Sequence, residues 1–205
     1  MRARMPLPKF VILISMLVMT ACLLPGMIPL DQGQEQETQG AMPVMEEDTA
    51  TVLQILQSGE WIYLQALAEE EYTDEDYARP GTLTYTVSVT DDLPVYFVYG
   101  WCTVDEEILR QNLEHIRVSL SINGEPLEEE VIHNLSYTSP SSLACLDFGA
   151  LITDWPAGEY RLEAVVTFDE QINDGLADFS AGDYVFVYNV TVAEPADGAE
   201  PPPSG

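Results

Sequence analysis

The residues best suited to covalent chemistry lie in one stretch, FVYGWCTVDEEILRQNLEHI, from Phe97 to Ile116, which holds Cys102 and His115. A nucleophilic thiol needs a base within hydrogen-bond reach and surroundings that favour the thiolate. Thr103 and Glu106 have the spacing of a capping box, and Leu109, Leu113 and Ile116 follow at helical intervals. The helix this predicts carries His115 about three turns away from Cys102. Asp105, Glu106 and Glu107 beside the thiol would raise its pKa. The pattern therefore argues against a catalytic cysteine.

A second set offers oxygen donors. The segment FDEQINDGLADFSAGD contains Asp169, Asn173, Asp174, Asp178 and Asp183. Calcium takes several hard oxygens in flexible geometry, so this loop is a candidate cation site. The EF-hand register fails, because counting from Asp169 places Asp174 where glycine is needed and Ser180 where glutamate is needed. The plainer expectation is a solvated loop folded by Asx turns. No G-x-S-x-G, H-E-x-x-H, P-loop or paired C-x-x-C occurs. A hydrolase using a carboxylate pair stays open simply because acids are so numerous. Tyr96, Tyr99, Tyr184, Phe186 and Tyr188 could line a binding face, although their strand spacing suits a core. Asn134-Leu-Ser136 and Asn189-Val-Thr191 match glycosylation sequons.

The elements that must position these residues begin after an unusual N-terminus. Arg2, Arg4 and Lys9 precede Phe10 to Leu24, a run without charge, and this has the form of a secretory signal peptide over 1–21. As a helix the run would span roughly 22 Å, short of the roughly 30 Å hydrocarbon core. It ends in LVMTAC, Leu17 to Cys22, with small Thr20 and Ala21 before the cysteine, and so resembles the lipobox of bacterial lipoprotein precursors. The resemblance departs from the commonest pattern in having Met19 where leucine is usual. It implies cleavage before Cys22, lipidation of that cysteine, and an extracytoplasmic domain anchored to the membrane. Cys102 and Cys145 are then the remaining thiols, and an even count in an oxidising exterior predicts a disulfide between them. Closing a loop of about 43 residues would contribute roughly 4 kcal/mol by the chain-entropy argument, with Trp101 placed to pack on the bridge.

Seven basic residues face thirty-five acidic ones, a net charge of −28. Such a surface repels nucleic acid and anionic headgroups and attracts cations or a basic partner. The acidic segment 22–48 reads as a tether, and 194–205, rich in Pro and Gly, as a disordered tail. Over 49–80, Val52, Ile55, Leu56, Tyr63 and Leu67 fall near helical spacing behind Asp48 and Thr49, interrupted by Gly59, which predicts a helical preface of one or two short helices, with WIYLQAL readable as a strand instead.

From residue 81 to 193 the period changes to two. TLTYTVSVT, LPVYFVYGW, RVSLSI, PLEEEVI, SLACLDF, EYRLEAVVTF and DYVFVYNVTV give about seven strands, with Asn123-Gly124 as a hairpin turn and PLEEEVI as its return strand. No helix alternates regularly with them, which points to an antiparallel β-sandwich with one short crossover helix. WPAGEYRLEAVVTF followed by a loop and a last strand resembles the closing hairpin of bacterial immunoglobulin-like domains. That likeness implies a seven-stranded sandwich that binds or spaces other components and is not an enzyme. The partners expected are the membrane, through the lipid, and a protein or glycan, with no cofactor unless calcium binds. The resulting expectation is a non-catalytic binding or scaffolding module of the cell envelope. A hydrolase and a calcium-stabilised adhesion module are the alternatives.

Overall fold

The structure, a computed structural model, describes residues 41–89 and 93–193. The signal peptide, the lipidation residue Cys22, most of the tether and the tail from 194 onward lie outside the described residues. The described chain is mainly β and builds two five-stranded sheets.

Chain order begins with β1 (Val44–Met45), α1 (Thr49–Ser58) and β2 (Ile62–Tyr63), which leads into a 3₁₀ turn over Leu64–Leu67. The one-turn α2 (Asp74–Tyr77) precedes β3 (Gly81–Val89) and β4 (Val95–Thr103). Next come α3 (Glu106–Asn112), β5 (Ile116–Ile122), β6 (Glu125–Pro126), a 3₁₀ turn at Glu129–Val131 and β7 (His133–Thr138). The chain closes with β8 (Ala144–Asp154), β9 (Gly158–Phe168), the small hairpin β10 (Ile172–Asn173) and β11 (Asp178–Phe179), and β12 (Gly182–Val192).

One sheet has the order β3-β12-β9-β5-β6, and the other places β8 beside β4, β7 and β1, with β2 beyond β4. Both contribute to one core: Tyr85, Val87, Leu162, Tyr188 and Val190 from the first meet Val95, Phe97 and Ile152 from the second. Burying each such side chain is worth about 1.5–3 kcal/mol, so period-two patterning is enough to fix which face of each strand turns inward.

The expectation of a purely antiparallel arrangement is corrected. β3 runs parallel to β12, and β2 runs parallel to β4. A parallel pair needs a long connection, and for β3 and β12 nearly the whole domain supplies it, with no helix-per-strand alternation to reveal it. The expected return strand PLEEEVI is also corrected. Only Glu125 and Pro126 pair with β5. The Leu127 amide donates once more to the Leu120 carbonyl at 2.8 Å, and beyond it Glu128–Glu130 ride an exposed crossing to the other sheet, where HNLSYT forms β7 on β8. Asn123 (φ 54°) and Gly124 (φ 80°) make the predicted tight turn.

In the preface, Gly59 ends α1 as a left-handed cap at φ 76°, and Asp48 caps its start by accepting from the Thr51 amide. The helix in the opening stretch is α3, but its cap is Asp105, which accepts from the Ile108 amide at 2.9 Å. Thr103 Oγ1 instead donates to the Asp105 carbonyl at 2.6 Å, because Thr103 is still the buried last residue of β4.

A local repeat passes unnoticed in the sequence. Ala-Gly-Glu-Tyr opens β9 and Ala-Gly-Asp-Tyr opens β12, with Gly158 at φ 154° and Gly182 at φ 137°. Tyr160 Oη donates to the Pro156 carbonyl at 2.6 Å and Tyr184 Oη to the Ser180 carbonyl at 2.9 Å, each four residues back. The two corners lie at opposite ends of the β9–β12 pair, where Gly158 faces Val192 and Gly182 faces Phe168.

Candidate functional site

Cys102 and Cys145 form a disulfide. They are direct partners on neighbouring strands, β4 and β8, of a single sheet, with Cα atoms 4.1 Å apart. Trp101 does not pack on the bridge, because strand alternation sends it to the opposite, inner face, where it meets Phe168 and Phe179 at 5.3 and 4.8 Å between ring centroids. His115 is far from any role with Cys102; its Nδ1 lies 2.8 Å from Asp169 Oδ1 and its Nε2 3.4 Å from Glu170 Oε1.

The outer face of this sheet carries Tyr96, Val98, Gly100 and Cys102 from β4 opposite Leu151, Gly149, Asp147 and Cys145 from β8. Over one end lies α1, whose Val52 is fully buried against Tyr96 and Leu151, joined by Ile55, Leu56 and Trp61. Trp61 Nε1 donates to the Leu56 carbonyl at 2.8 Å, which fixes the chain as it leaves the helix. His133 on β7 holds the other side: Nε2 donates to the Glu46 carbonyl at 2.9 Å, leaving Nδ1 to accept from Thr49 Oγ1 at 3.1 Å.

Where the helix cover ends, a cleft of about 450 Å³ opens, lined among others by Tyr63, Tyr96, Tyr137, Gly100, Cys102 and Asp147. Tyr63 and Tyr137 stand at its mouth, each 43% exposed, whereas Asp147 is 6% exposed. Two interior glycines shape it. A Cβ on Gly100 would come within 2.7 Å of Asp147 Oδ1, and a Cβ on Gly149 within 2.6 Å of the Tyr96 ring. Only glycine lets the carboxylate and the ring lie across their neighbouring strands this closely.

Asp147 is unusual among the acids of this chain. Burial pushes its carboxyl up to about 6. It accepts one long hydrogen bond, 3.4 Å from Tyr137 Oη. Its negative charge in turn helps burial push the hydroxyls of Tyr63, Tyr96 and Tyr137 upward, the last to about 12. Tyr96 Oη is buried without any hydrogen-bond partner.

The cations are all engaged elsewhere among the described residues. Arg79 pairs with Glu75, Arg110 with Glu107 and Glu114, and Arg161 with Glu163. Arg117 donates to the carbonyls of Glu114 and Ile116. A buried carboxylate without a cation is costly, and natural sequences tolerate one chiefly where a ligand completes it.

The candidate calcium ligands do not converge. Asp169 lies against His115, and Asp183 Oδ1 accepts from Thr167 Oγ1 at 2.7 Å. Asp174 Oδ1 accepts from the amides of Leu176 and Ala177, Asn173 Oδ1 from the amide of Gly175, and Asp178 Oδ1 from Asn173 Nδ2. Among the described residues no group of three or more His, Cys, Asp or Glu side chains is placed to hold a metal ion. Of the five aromatics singled out in the sequence, Tyr96 and Tyr188 line the cleft, while Tyr99, Tyr184 and Phe186 pack in the inner cluster around Trp101 and Phe168. Asp147 and Tyr137 carry no expectation from the sequence, and Tyr63, expected on the helical face of the preface, lies instead on β2. The sequence signal is a charged residue in phase with Cys145 inside an apolar strand, with Gly149 two residues further along that strand and Gly100 interrupting the neighbouring β4. No family model matches the chain, and no curated protein matches it.

Proposed function

We propose that the chain is an extracytoplasmic, lipid-anchored, immunoglobulin-like binding module of the bacterial cell envelope, non-catalytic, with the β4 cleft as its ligand site. The immunoglobulin-like reading is supported by β12-β9-β5 in one sheet and β4-β8-β7 in the other, the Greek-key grouping of such domains. The Tyr160 corner at the start of the penultimate long strand fits the same plan. The disulfide departs from it, since it joins neighbours in one sheet and does not cross the core. Anchorage is supported by the LVMTAC sequence ending at Cys22.

The observation that carries the binding role is Asp147, buried at the floor of an aromatic-walled cleft with no cation of its own. Hydrolysis by two acids needs a facing pair, and Asp147 is the one carboxylate among the residues lining this cleft. Two measurements test the proposal in a bacterial host. Metabolic labelling with an alkyne fatty acid should mark the wild type and not Cys22→Ser. A photo-cross-linking residue in place of Tyr63 should give a discrete adduct in intact envelopes, and the same residue in place of Ser119, exposed on the other sheet, should not. Equal adducts from both positions, or none from either, would sink the cleft as the ligand site.

A further inference from the structure

The open edge of β4 deepens that reading and rests on it. β4 has nine residues, yet only Val95 and Tyr96 pair with β2 on its outer side. From Val98 to Cys102 that side has no strand partner among the described residues. The direction of the backbone groups there follows from the register. Cys102 and Cys145 sit close, at 4.1 Å between Cα atoms, as a non-hydrogen-bonded antiparallel pair does, so the N–H and C=O of Cys102 point away from β8. Alternation gives Gly100 and Val98 the same direction. Two flanking contacts agree with it: the Pro94 carbonyl accepts from the Ile62 amide at 3.0 Å, and the Val104 amide donates to the Asp174 carbonyl at 2.9 Å. Pro94 and Val104 thus use this edge, Tyr96 lies within the pairing with β2, and Val98, Gly100 and Cys102 leave it unpaired, with Gly100 exposed.

An uncharged strand edge of this kind is a template for another extended chain. Asp147 adds a side-chain requirement. It lies directly opposite Gly100, and the missing side chain there lets the carboxylate reach across β4 toward the open edge. An added strand would place one residue in the same cross-strand row, next to Gly100 and within reach of that carboxylate. Oδ1 is the oxygen that lies over Gly100, and it accepts only the long 3.4 Å bond from Tyr137, while Oδ2 lies farther from the edge; one oxygen presented alone suits the point charge of an ammonium better than the two-pronged fork of a guanidinium. Tyr63 and Tyr137 would flank the aliphatic stem and the charge. The chain has no lysine after Lys9, so the described domain cannot supply one to itself.

We propose that an extended segment of a basic partner protein pairs with the β4 edge from Val98 to Cys102 and seats a lysine ammonium on Asp147. The cleft of about 450 Å³ has room for more than one side chain, and a separate cavity of about 170 Å³ lies on the inner side of Gly100, lined by Tyr99 and Trp101. The long-range field of the acidic surface favours such a partner and disfavours an acidic one.

The test uses the oxidised domain with its disulfide intact and the peptide Ac-Thr-Val-Thr-Lys-Thr-Val-Thr-amide, followed by amide chemical shifts and hydrogen exchange. The lysine peptide should bind weakly, protect the amides of Val98, Gly100 and Cys102, and lose about tenfold or more in affinity when norleucine replaces lysine. Asp147→Asn should remove the difference between the two peptides, and its spectrum should otherwise match the wild type. Norleucine binding as well as lysine, protection elsewhere, or no binding would each overturn the inference. So would n-butylamine matching the peptide, since it lacks a backbone. Norleucine and lysine binding equally at β4 would leave the cleft as the ligand site while removing the lysine, which keeps the two proposals separable.

Discussion

The cleft at β4 and the loop from Asp169 to Asp183 both carry acids, and they differ in one respect that matters. In the loop, charge is dense and nearly every carboxylate is answered locally by an amide, a hydroxyl or His115. In the cleft there is one carboxylate, buried and answered by a single long hydrogen bond. Density therefore locates a solvated, self-satisfied loop, and lack of satisfaction locates a site. Thirty-five acids make the first kind of feature common in this chain and the second informative.

The comparison breaks most severely if the cleft loses its frame. The bridge closes a loop with a sequence separation of 43 and ties the strand bearing Asp147 to the strand bearing Gly100. The double variant Cys102→Ala/Cys145→Ala should lose about 4 kcal/mol in denaturant unfolding. It should also weaken binding at the cleft more than it perturbs the amides of the acidic loop. A smaller change to the frame is Gly149→Ala, whose new Cβ would press on the Tyr96 ring. Overpacking of this kind should cost about 1–3 kcal/mol, read as a lower denaturant midpoint at unchanged slope.

Much of the frame was legible in the sequence, and the site was not, for physical reasons that particular residues show. Tyr85, Val87 and Val89 alternate with threonine and serine, so a single hydrophobic face fixes β3. Asn123-Gly124 needs positive φ at both positions and so announces its turn. The pairing of β3 with β12 has no local signature, because parallel neighbours are chosen by the whole chain. β7, with Leu135 half-buried between exposed polar residues, lacks a clear period. Asp147 reads as an ordinary acid until strand register places it over Gly100 and the arginine pairings show that no cation reaches it.

The electrostatic half of the comparison can be titrated. Asp147 has a folded pKa raised from 3.8 to about 6 by burial. The titratable groups facing it are the Tyr63, Tyr96 and Tyr137 hydroxyls, all neutral below pH 8. The proton is held more tightly in the folded state, so the associated stability is fully present below pH 4 and is lost as pH rises through 6. Asp147→Asn should thus match the wild type near pH 3 and exceed it by on the order of 2 kcal/mol at pH 7. Urea midpoints across pH 3–8 check this, and a difference that shrinks with rising pH would contradict the burial argument.

The smallest effect belongs to the loop, and it sharpens the comparison from the other side. If its acids are self-satisfied, calcium has nothing to complete there, and thermal melts in millimolar calcium and in chelator should coincide. Asp174→Ala removes the acceptor for two exposed amides, those of Leu176 and Ala177, which water can then satisfy. The cost should be about 0.5–1 kcal/mol. It should be felt by Val104, whose amide donates to the Asp174 carbonyl, and not by Asp147. A calcium-dependent rise in the wild-type midpoint that Asp174→Ala abolishes would show that charge density alone can make a site here. The distinction between a crowded acid and an unanswered one would then lose its force.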